Sequence, residues 1–124
     1  MAPPERSPIV GIVGPCSAGK STLARALTAA GVTAKPIGQE HSYVPHMWQV
    51  IGRPDVLIYL DVSYPVAQGR RWLNWVPADL EEQRRRLRHA RDHCHLFVQT
   101  DPLTAEQVRD QVLDFLRQAP WSLV

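Results

Sequence analysis

The chain has 124 residues, of which 44% are hydrophobic and 21% charged, so it can form one globular domain and is not a disordered chain. A formal net charge of +2 does not favour nucleic acid as a partner, and two cysteines, Cys16 and Cys94, exclude a disulfide framework. No stretch approaches the roughly 18 apolar residues of a membrane helix, and the start, MAPPERSP, lacks the apolar core of a secretory signal. We therefore expect a cytoplasmic protein without membrane contact.

Short apolar runs and helical patterns alternate along the chain. We expect a flexible arm at residues 1–7 and a single domain over residues 8–124. Strands are predicted at 8–13, 32–37, 55–62 and 96–99, and helices at 21–30, 65–92 with a break near Pro77, and after Thr104. The second strand should lie at a sheet edge, because Pro36 cannot donate a ladder hydrogen bond. This order predicts an α/β fold in three layers, α/β/α, around a parallel sheet of about four strands.

The junction between the first strand and the first helix reads GPCSAGKS, which matches the pattern G-x-x-x-x-G-K-S. Backbone N–H groups and the positive end of the helix dipole meet at such a junction, so the loop can bind an anion. Lys20 would contact the β- and γ-phosphates of a nucleotide, and the Ser21 hydroxyl would bind Mg²⁺. The candidate nucleotide-binding residues here are Gly14, Pro15, Cys16, Ser17, Ala18, Gly19, Lys20, Ser21 and Thr22.

Three segments resemble the P-loop kinase-like NTPases, especially the small nucleoside, nucleotide and shikimate kinases: GPCSAGKSTLARAL, PDVLIYLDVSYPVAQGRR and HLFVQTDPLTAEQVRDQVLDFL. The resemblance implies a P-loop NTPase-like fold with ATP and Mg²⁺ as cofactors. It makes Arg70 and Arg71 candidates for catalytic residues on a lid helix, and it places Thr100, Asp101 and Pro102 beside the base. The alternatives are that both arginines are solvated helix residues and that Asp101 only caps the last helix.

The chain departs from that family in the segment between the second and third predicted strands. These kinases usually have five strands in the order 2-3-1-4-5, and residues 38–54 leave no room for a further strand and helix. We therefore infer that one βα unit is missing and that the strand at 32–37 lies beside the first strand.

Two acidic residues are candidates for the metal partner. Glu40 follows the carboxyl end of the second predicted strand, near Lys20 and Ser21, where it could hold a Mg²⁺-bound water or accept a proton from an acceptor hydroxyl. Asp61 ends the apolar run VLIYLD and is the alternative. It also remains open that neither residue contacts magnesium.

Other features leave alternatives open. Gln39, His41, Tyr43 and Trp48 could line a small acceptor pocket, or could pack as a lid or an interface. Trp72 and Trp75 are candidates for a homodimer contact. The arginine-rich stretch RRRLRHAR reads either as a salt-bridged exposed face or as a phosphate-binding cluster. His89, His93, Cys94 and His95 are residue types that bind zinc, but they do not share one helical face.

Three functions are compatible with these features. The first is an ATP-dependent phosphotransferase, with Lys20, Glu40, Arg70 and Arg71 as catalytic residues and a small molecule as acceptor. The second is a nucleotide-binding switch or partner-binding module with little or no hydrolysis. The third is a kinase that acts on the 5′ end of a nucleic acid. The sequence does not separate ATP from GTP.

Overall fold

The computed structural model of the chain describes residues 8–70 and 76–118, with the side chains of Gln68 and Arg70 outside it. Its strands are β1 (Ile9–Val13), β2 (Thr33–Pro36), β3 (Val56–Asp61) and β4 (Leu96–Gln99). Its helices are α1 (Lys20–Ala29), α2 (Met47–Ile51), α3 (Tyr64–Arg70), α4 (Pro77–Arg86), α5 (Arg88–His93) and α6 (Ala105–Leu116), with a 3₁₀ turn at Gln39–His41. The expected arm at residues 1–7, Arg71, Trp72 and Trp75 lie outside the described residues.

The four strands form one parallel sheet in the order β2-β1-β3-β4. The predicted edge position of the second strand is confirmed: among the described strands β2 pairs with β1 alone, and Pro36 lies opposite Ile12 at the end of that pairing. β1 and β3 are direct neighbours, with Val10 opposite Val56 and Val13 opposite Tyr59. The carboxyl ends of β1 and β3 therefore lie side by side, where the loop after β1 begins.

Buried apolar residues cover both faces of the sheet. Along β3, Val56, Ile58 and Leu60 belong to a core shared with α1 and α6, whereas Leu57 and Tyr59 belong to a core shared with α2 and α5. This strict alternation follows from the two-residue period of a strand. The expected α/β architecture, a parallel sheet with helices packed on it, is thus present.

Several helix boundaries differ from the sequence predictions. No strand or helix is predicted between residues 38 and 54, yet this segment contains the 3₁₀ turn and α2. The buried amide of Gln39 explains this order, because its Oε1 accepts from Trp48 N (2.8 Å) and its Nε2 donates to the Val44 carbonyl (2.8 Å). The predicted start of a helix at Pro77 is confirmed, and a further break separates α4 from α5 at Leu87. The helix predicted after Thr104 is also present as α6, and Thr104 and Gln107 form a capping box at its start.

Among residues 8–70 and 76–118, no helix combines the length and the apolar character needed to cross a bilayer.

The chain leaves β1 through a turn that touches β3. Gly14 has φ of 152°, and a Cβ at this position would lie 2.1 Å from the carbonyl oxygen of Leu60. Because that oxygen belongs to the backbone of a central strand, a side chain here could be accommodated only by moving the loop or the strand. The turn is therefore built for glycine.

We expect Gly14→Ala to lower the free energy of unfolding by about 3 kcal/mol, because it adds a backbone clash to an unfavourable φ. Urea unfolding followed by circular dichroism measures the change. Gly69→Ala is the matched control: Gly69 lies in α3 with open space around its Cα, so this variant should be as stable as wild type or up to about 1 kcal/mol more stable. Equal stabilities of the two variants would contradict the clash.

Candidate functional site

The backbone of the loop between β1 and α1 forms a concave surface. Ala18 N donates to the Pro15 carbonyl (3.2 Å), and Ser17 and Gly19 both have positive φ, of 70° and 99°. Gly19 is also the N-cap residue, immediately before α1. At this residue the unusual φ, and not crowding, requires glycine, because a Cβ would meet nothing within 4 Å. Successive N–H groups in such a turn, followed by a helix N-terminus, form an anion-binding surface.

Lys20 is held at the mouth of this loop by three oxygen atoms. Its Nζ donates to the carbonyls of Gly14 (2.6 Å) and Pro15 (3.1 Å) and forms an ion pair with Glu40 Oε2 (2.7 Å). Both charged side chains are nearly buried, with exposed fractions of 12% for Lys20 and 4% for Glu40. The tertiary structure thus brings together the two residues that the sequence placed near one another by topology.

The carboxylate of Glu40 is only partly used by these contacts. Its Oε1 is buried and has no hydrogen-bond partner among the described residues. His41 Nε2 lies 3.6 Å from Oε2, and its side chain is 64% exposed. A buried carboxylate oxygen without a partner is costly unless something else binds it. Glu40 therefore has the capacity to accept a further cation or donor.

Two cavities border the loop and the first turn of α1, and they have three lining residues in common. A polar cavity of about 410 Å³ and an apolar cavity of about 220 Å³ have Ser17, Gly19 and Thr22 in common. The polar cavity is also lined by Cys16, Lys20, Ser21, Glu40 and His41. The apolar cavity is also lined by Ala18, Leu23, Thr100, Leu103, Ala105 and Val108.

The residues expected beside the base are only partly on the apolar cavity. Thr100 lines it, whereas Asp101 and Pro102 are not among the lining residues. The Asp101 carboxylate instead accepts from Ser63 N (2.9 Å), a contact between the ends of β3 and β4. Sequence reasoning missed Leu103 and Val108 as cavity residues. The helical period of α6 could have indicated Val108, but not that its buried face extends to the loop.

Asp61, the alternative acidic residue, is engaged by an arginine of α4. Arg84 donates from Nε to Oδ1 (3.2 Å) and from Nη2 to Oδ2 (3.1 Å), and also to the Val62 carbonyl (2.8 Å). Arg85 and Arg86 both pair with Glu82. The salt bridges expected of this stretch are therefore present, but its exposure is not uniform: the Arg85 side chain is 70% exposed and the Arg86 side chain only 22%. Arg71 and the side chain of Arg70, the lid candidates, lie outside the described residues.

Gln83, also on α4, contacts the loop and was not identified from the sequence. Its Oε1 accepts from the backbone N–H of Cys16 (2.9 Å), and its Nε2 donates to the sulfur of Cys16 (3.3 Å). A glutamine within a charged helix carries no sequence signal for such a role. Only the packing of α4 against the loop, 67 residues away in sequence, reveals it.

The acceptor-pocket candidates divide into structural and accessible residues. Gln39 is 1% exposed and Trp48 is buried, and their hydrogen bond holds the segment before β3. His41 lines the polar cavity. Tyr43 is 84% exposed, so the interpretation that it packs over the sheet is wrong; the guanidinium of Arg86 lies over its ring at 4.3 Å.

The histidines near α5 have structural partners. His89 Nδ1 accepts from Trp48 Nε1 (3.0 Å), and His95 Nδ1 accepts from Leu57 N (3.0 Å). Burial, reinforced by nearby His93, lowers the pKa of His89, and burial lowers that of His95. Both nitrogens act as acceptors, which requires these rings to be neutral. These contacts favour a role in packing over a role in zinc binding.

Comparison with known proteins found no protein family, no curated protein and no solved structure that matches the chain.

We expect Lys20→Ala to lower the free energy of unfolding by about 3–5 kcal/mol, because it leaves the buried Glu40 carboxylate without a counter-ion. Adding Glu40→Gln should restore at least about 1 kcal/mol of this loss, since the double variant buries no unpaired charge. Glu40→Gln alone should cost less than Lys20→Ala, because Lys20 keeps two carbonyl acceptors. Urea unfolding of the four proteins measures the coupling, and strictly additive losses would show that the pair is not coupled.

Proposed function

We propose that this chain binds a nucleoside triphosphate with Mg²⁺ at the loop formed by residues 14–22 and transfers its terminal phosphoryl group to a small acceptor. The observation that carries the proposal is the pair of cavities that meet at Ser17, Gly19 and Thr22. One is lined mainly by polar side chains, including the Lys20 ammonium, and the other mainly by apolar side chains. A nucleotide has two matching parts, a charged polyphosphate and a flat base, which a single ribose connects.

The polar cavity supplies groups that suit the polyphosphate. Residues of the first turn of α1 line it, and the backbone N–H groups of a first turn have no partner within the helix. Lys20 adds a positive charge. The loop carbonyls of Gly14 and Pro15 hold the ammonium in place before any ligand arrives. An ammonium has three N–H donors, so Lys20 would exchange at least one of its three oxygen contacts for a phosphate oxygen. Positioning with charge neutralisation supplies most of the rate in phosphoryl transfer.

The side chains around this cavity also fit a magnesium ion. Ser21 offers a hydroxyl and Glu40 a carboxylate with one buried oxygen that lacks a partner among the described residues. Oxygen atoms are the ligands that Mg²⁺ prefers, usually with several waters retained. When bound, Mg²⁺ would neutralise charge on the phosphates. Asp61 is less suited to this role, because Arg84 contacts both of its carboxylate oxygens.

The apolar cavity suits a nucleotide base that binds mainly through van der Waals contacts and less through hydrogen bonds. Leu23, Leu103 and Val108 provide apolar walls. Thr22 and Thr100 are polar lining residues, and the Thr100 hydroxyl donates to the Asp61 carbonyl (2.9 Å). Ligand sites typically combine such walls with a few polar groups. ATP is the nucleotide implied by the family resemblance, and binding experiments with ATP and GTP decide between the bases.

One contact favours a second candidate function, a nucleotide-dependent switch. The N–H of Cys16, which a phosphate would need, is bound by Gln83 of α4. Nucleotide binding at this N–H would displace Gln83 and so change the position of α4. In contrast, the nucleic-acid kinase hypothesis receives no support from Arg84, Arg85 and Arg86, which pair with Asp61 and Glu82.

Calorimetric titration with ATP, GTP, ADP and inorganic triphosphate, each with and without Mg²⁺, tests the binding site. We expect a Kd below about 1 mM for one of the Mg²⁺–nucleoside triphosphates, and at least about tenfold weaker binding by Lys20→Ala/Glu40→Gln than by Glu40→Gln alone. That comparison isolates the lysine while keeping the buried site free of an unpaired charge. Lys35→Ala is the matched control, since Lys35 is exposed on the edge strand. No binding at millimolar nucleotide would overturn the proposal.

Turnover experiments test the reaction. With a panel of small acceptors, we expect Glu40→Gln to keep nucleotide binding but to reduce Mg²⁺-dependent turnover by about 100-fold or more, as loss of a base or metal partner would. An unchanged rate in this variant, with a reduced rate in Asp61→Asn, would assign the role to Asp61. Tight nucleotide binding without turnover on any acceptor would favour the switch over the phosphotransferase.

A further inference from the structure

We infer that Cys16, Glu40 and His41 form a binding site for a soft divalent cation such as Zn²⁺ at the mouth of the loop. One ligand atom from each residue, a sulfur, a carboxylate oxygen and an imidazole nitrogen, can be chosen so that all three lie within 4.8 Å of one another. The inference does not depend on nucleotide binding, since it concerns the affinity of these three side chains for a metal ion.

The spacing of the three ligand atoms is close to that of a tetrahedral zinc site. Cys16 Sγ lies 3.8 Å from His41 Nε2, and His41 Nε2 lies 3.6 Å from Glu40 Oε2. Bond lengths of about 2.3 Å to sulfur and about 2.0–2.2 Å to nitrogen and oxygen put tetrahedral ligands about 3.6 Å and about 3.4 Å apart. These two distances are therefore each within about 0.2 Å of the tetrahedral values. The third distance, from the sulfur to a Glu40 carboxylate oxygen, is at most 4.8 Å, so binding would draw these two ligands together.

Neighbouring residues hold two of the ligands in place. Gln83 contacts Cys16 twice, through the backbone N–H and through the sulfur, and its N–H donated to sulfur would stabilise a thiolate. Lys20 fixes the Glu40 carboxylate through Oε2. Partners of this kind orient metal ligands and tune their affinity. His41 is largely exposed, so an ion can enter from solvent without opening the fold.

The ligand set selects the class of metal. A thiolate and an imidazole favour Zn²⁺ and similar ions over Mg²⁺, which prefers oxygen ligands alone. Binding would convert the Cys16 thiol to a thiolate and release its proton to solvent, so the affinity should rise with pH. The new negative charge lies in the same cavity as Lys20 and partly offsets the positive charge that the ion adds.

The test uses the full chain without an affinity tag, stripped of metal and reduced, in competition with a chromogenic chelator for Zn²⁺. We expect one equivalent of Zn²⁺ per chain. Cys16→Ser and His41→Gln should each bind at least about tenfold more weakly, as loss of a ligand should cost no less than loss of a neighbouring partner. Cys94→Ala and His46→Gln are the matched controls and should bind as wild type, because neither residue belongs to the cluster. Millimolar Mg²⁺ should not displace the ion.

Co²⁺ provides a second readout that reports the sulfur directly. A thiolate-to-cobalt absorption band should appear with wild type and Cys94→Ala, and should be absent with Cys16→Ser. Circular dichroism confirms that each variant is folded, and His41→Gln, at an exposed position, keeps the test valid if Cys16→Ser disturbs the loop. Equal zinc affinities of wild type and both ligand variants, or a cobalt band that survives in Cys16→Ser, would overturn the inference.

Discussion

The position of the loop depends on a contact between two backbones. Gly14 passes so close to the Leu60 carbonyl that no side chain fits between them, and this contact fixes where the chain turns after β1. The positive φ angles of Ser17 and Gly19 then carry the chain around to the start of α1. A shift at Gly14 would move each of these residues, because a short loop between a central strand and a packed helix has few alternative paths.

The contact between Lys20 and Glu40 depends on this path and joins α1 to the 3₁₀ turn. Burying either charge alone would be unfavourable, so each residue stabilises the position of the other. Their pairing leaves one carboxylate oxygen without a partner among the described residues and places Cys16 and His41 next to the same group. A single buried carboxylate thus connects the lysine of the loop with both of the cation-binding arrangements proposed for this cavity.

Helix α4 encloses the site from the other side. Gln83 binds Cys16, Arg84 binds Asp61, and Arg86 donates to the Glu40 carbonyl (3.4 Å). These contacts connect the helix to the loop, to the end of β3 and to the 3₁₀ turn. Helix α4 therefore contacts three separate parts of the fold, although its sequence shows only a simple charged pattern. A ligand that displaced Gln83 would affect all three parts through the helix.

The local pattern of the sequence determined the strands, the edge position of β2, the loop motif and the capping of α6, because hydrophobic period, proline and capping residues act over a few positions. The sequence did not predict the exposure of Tyr43, the helix α2 or the helix break at Leu87. These features depend on tertiary contacts such as the hydrogen bonds of Gln39. The sequence predicted that Glu40 lies near Lys20, but only the tertiary structure decided that the two form a buried ion pair, that Arg84 pairs with Asp61, and that Gln83, Leu103 and Val108 border the site. Each of these contacts brings together residues that are distant in sequence or lie on separate elements. A local sequence pattern does not indicate which distant side chain will occupy a given position.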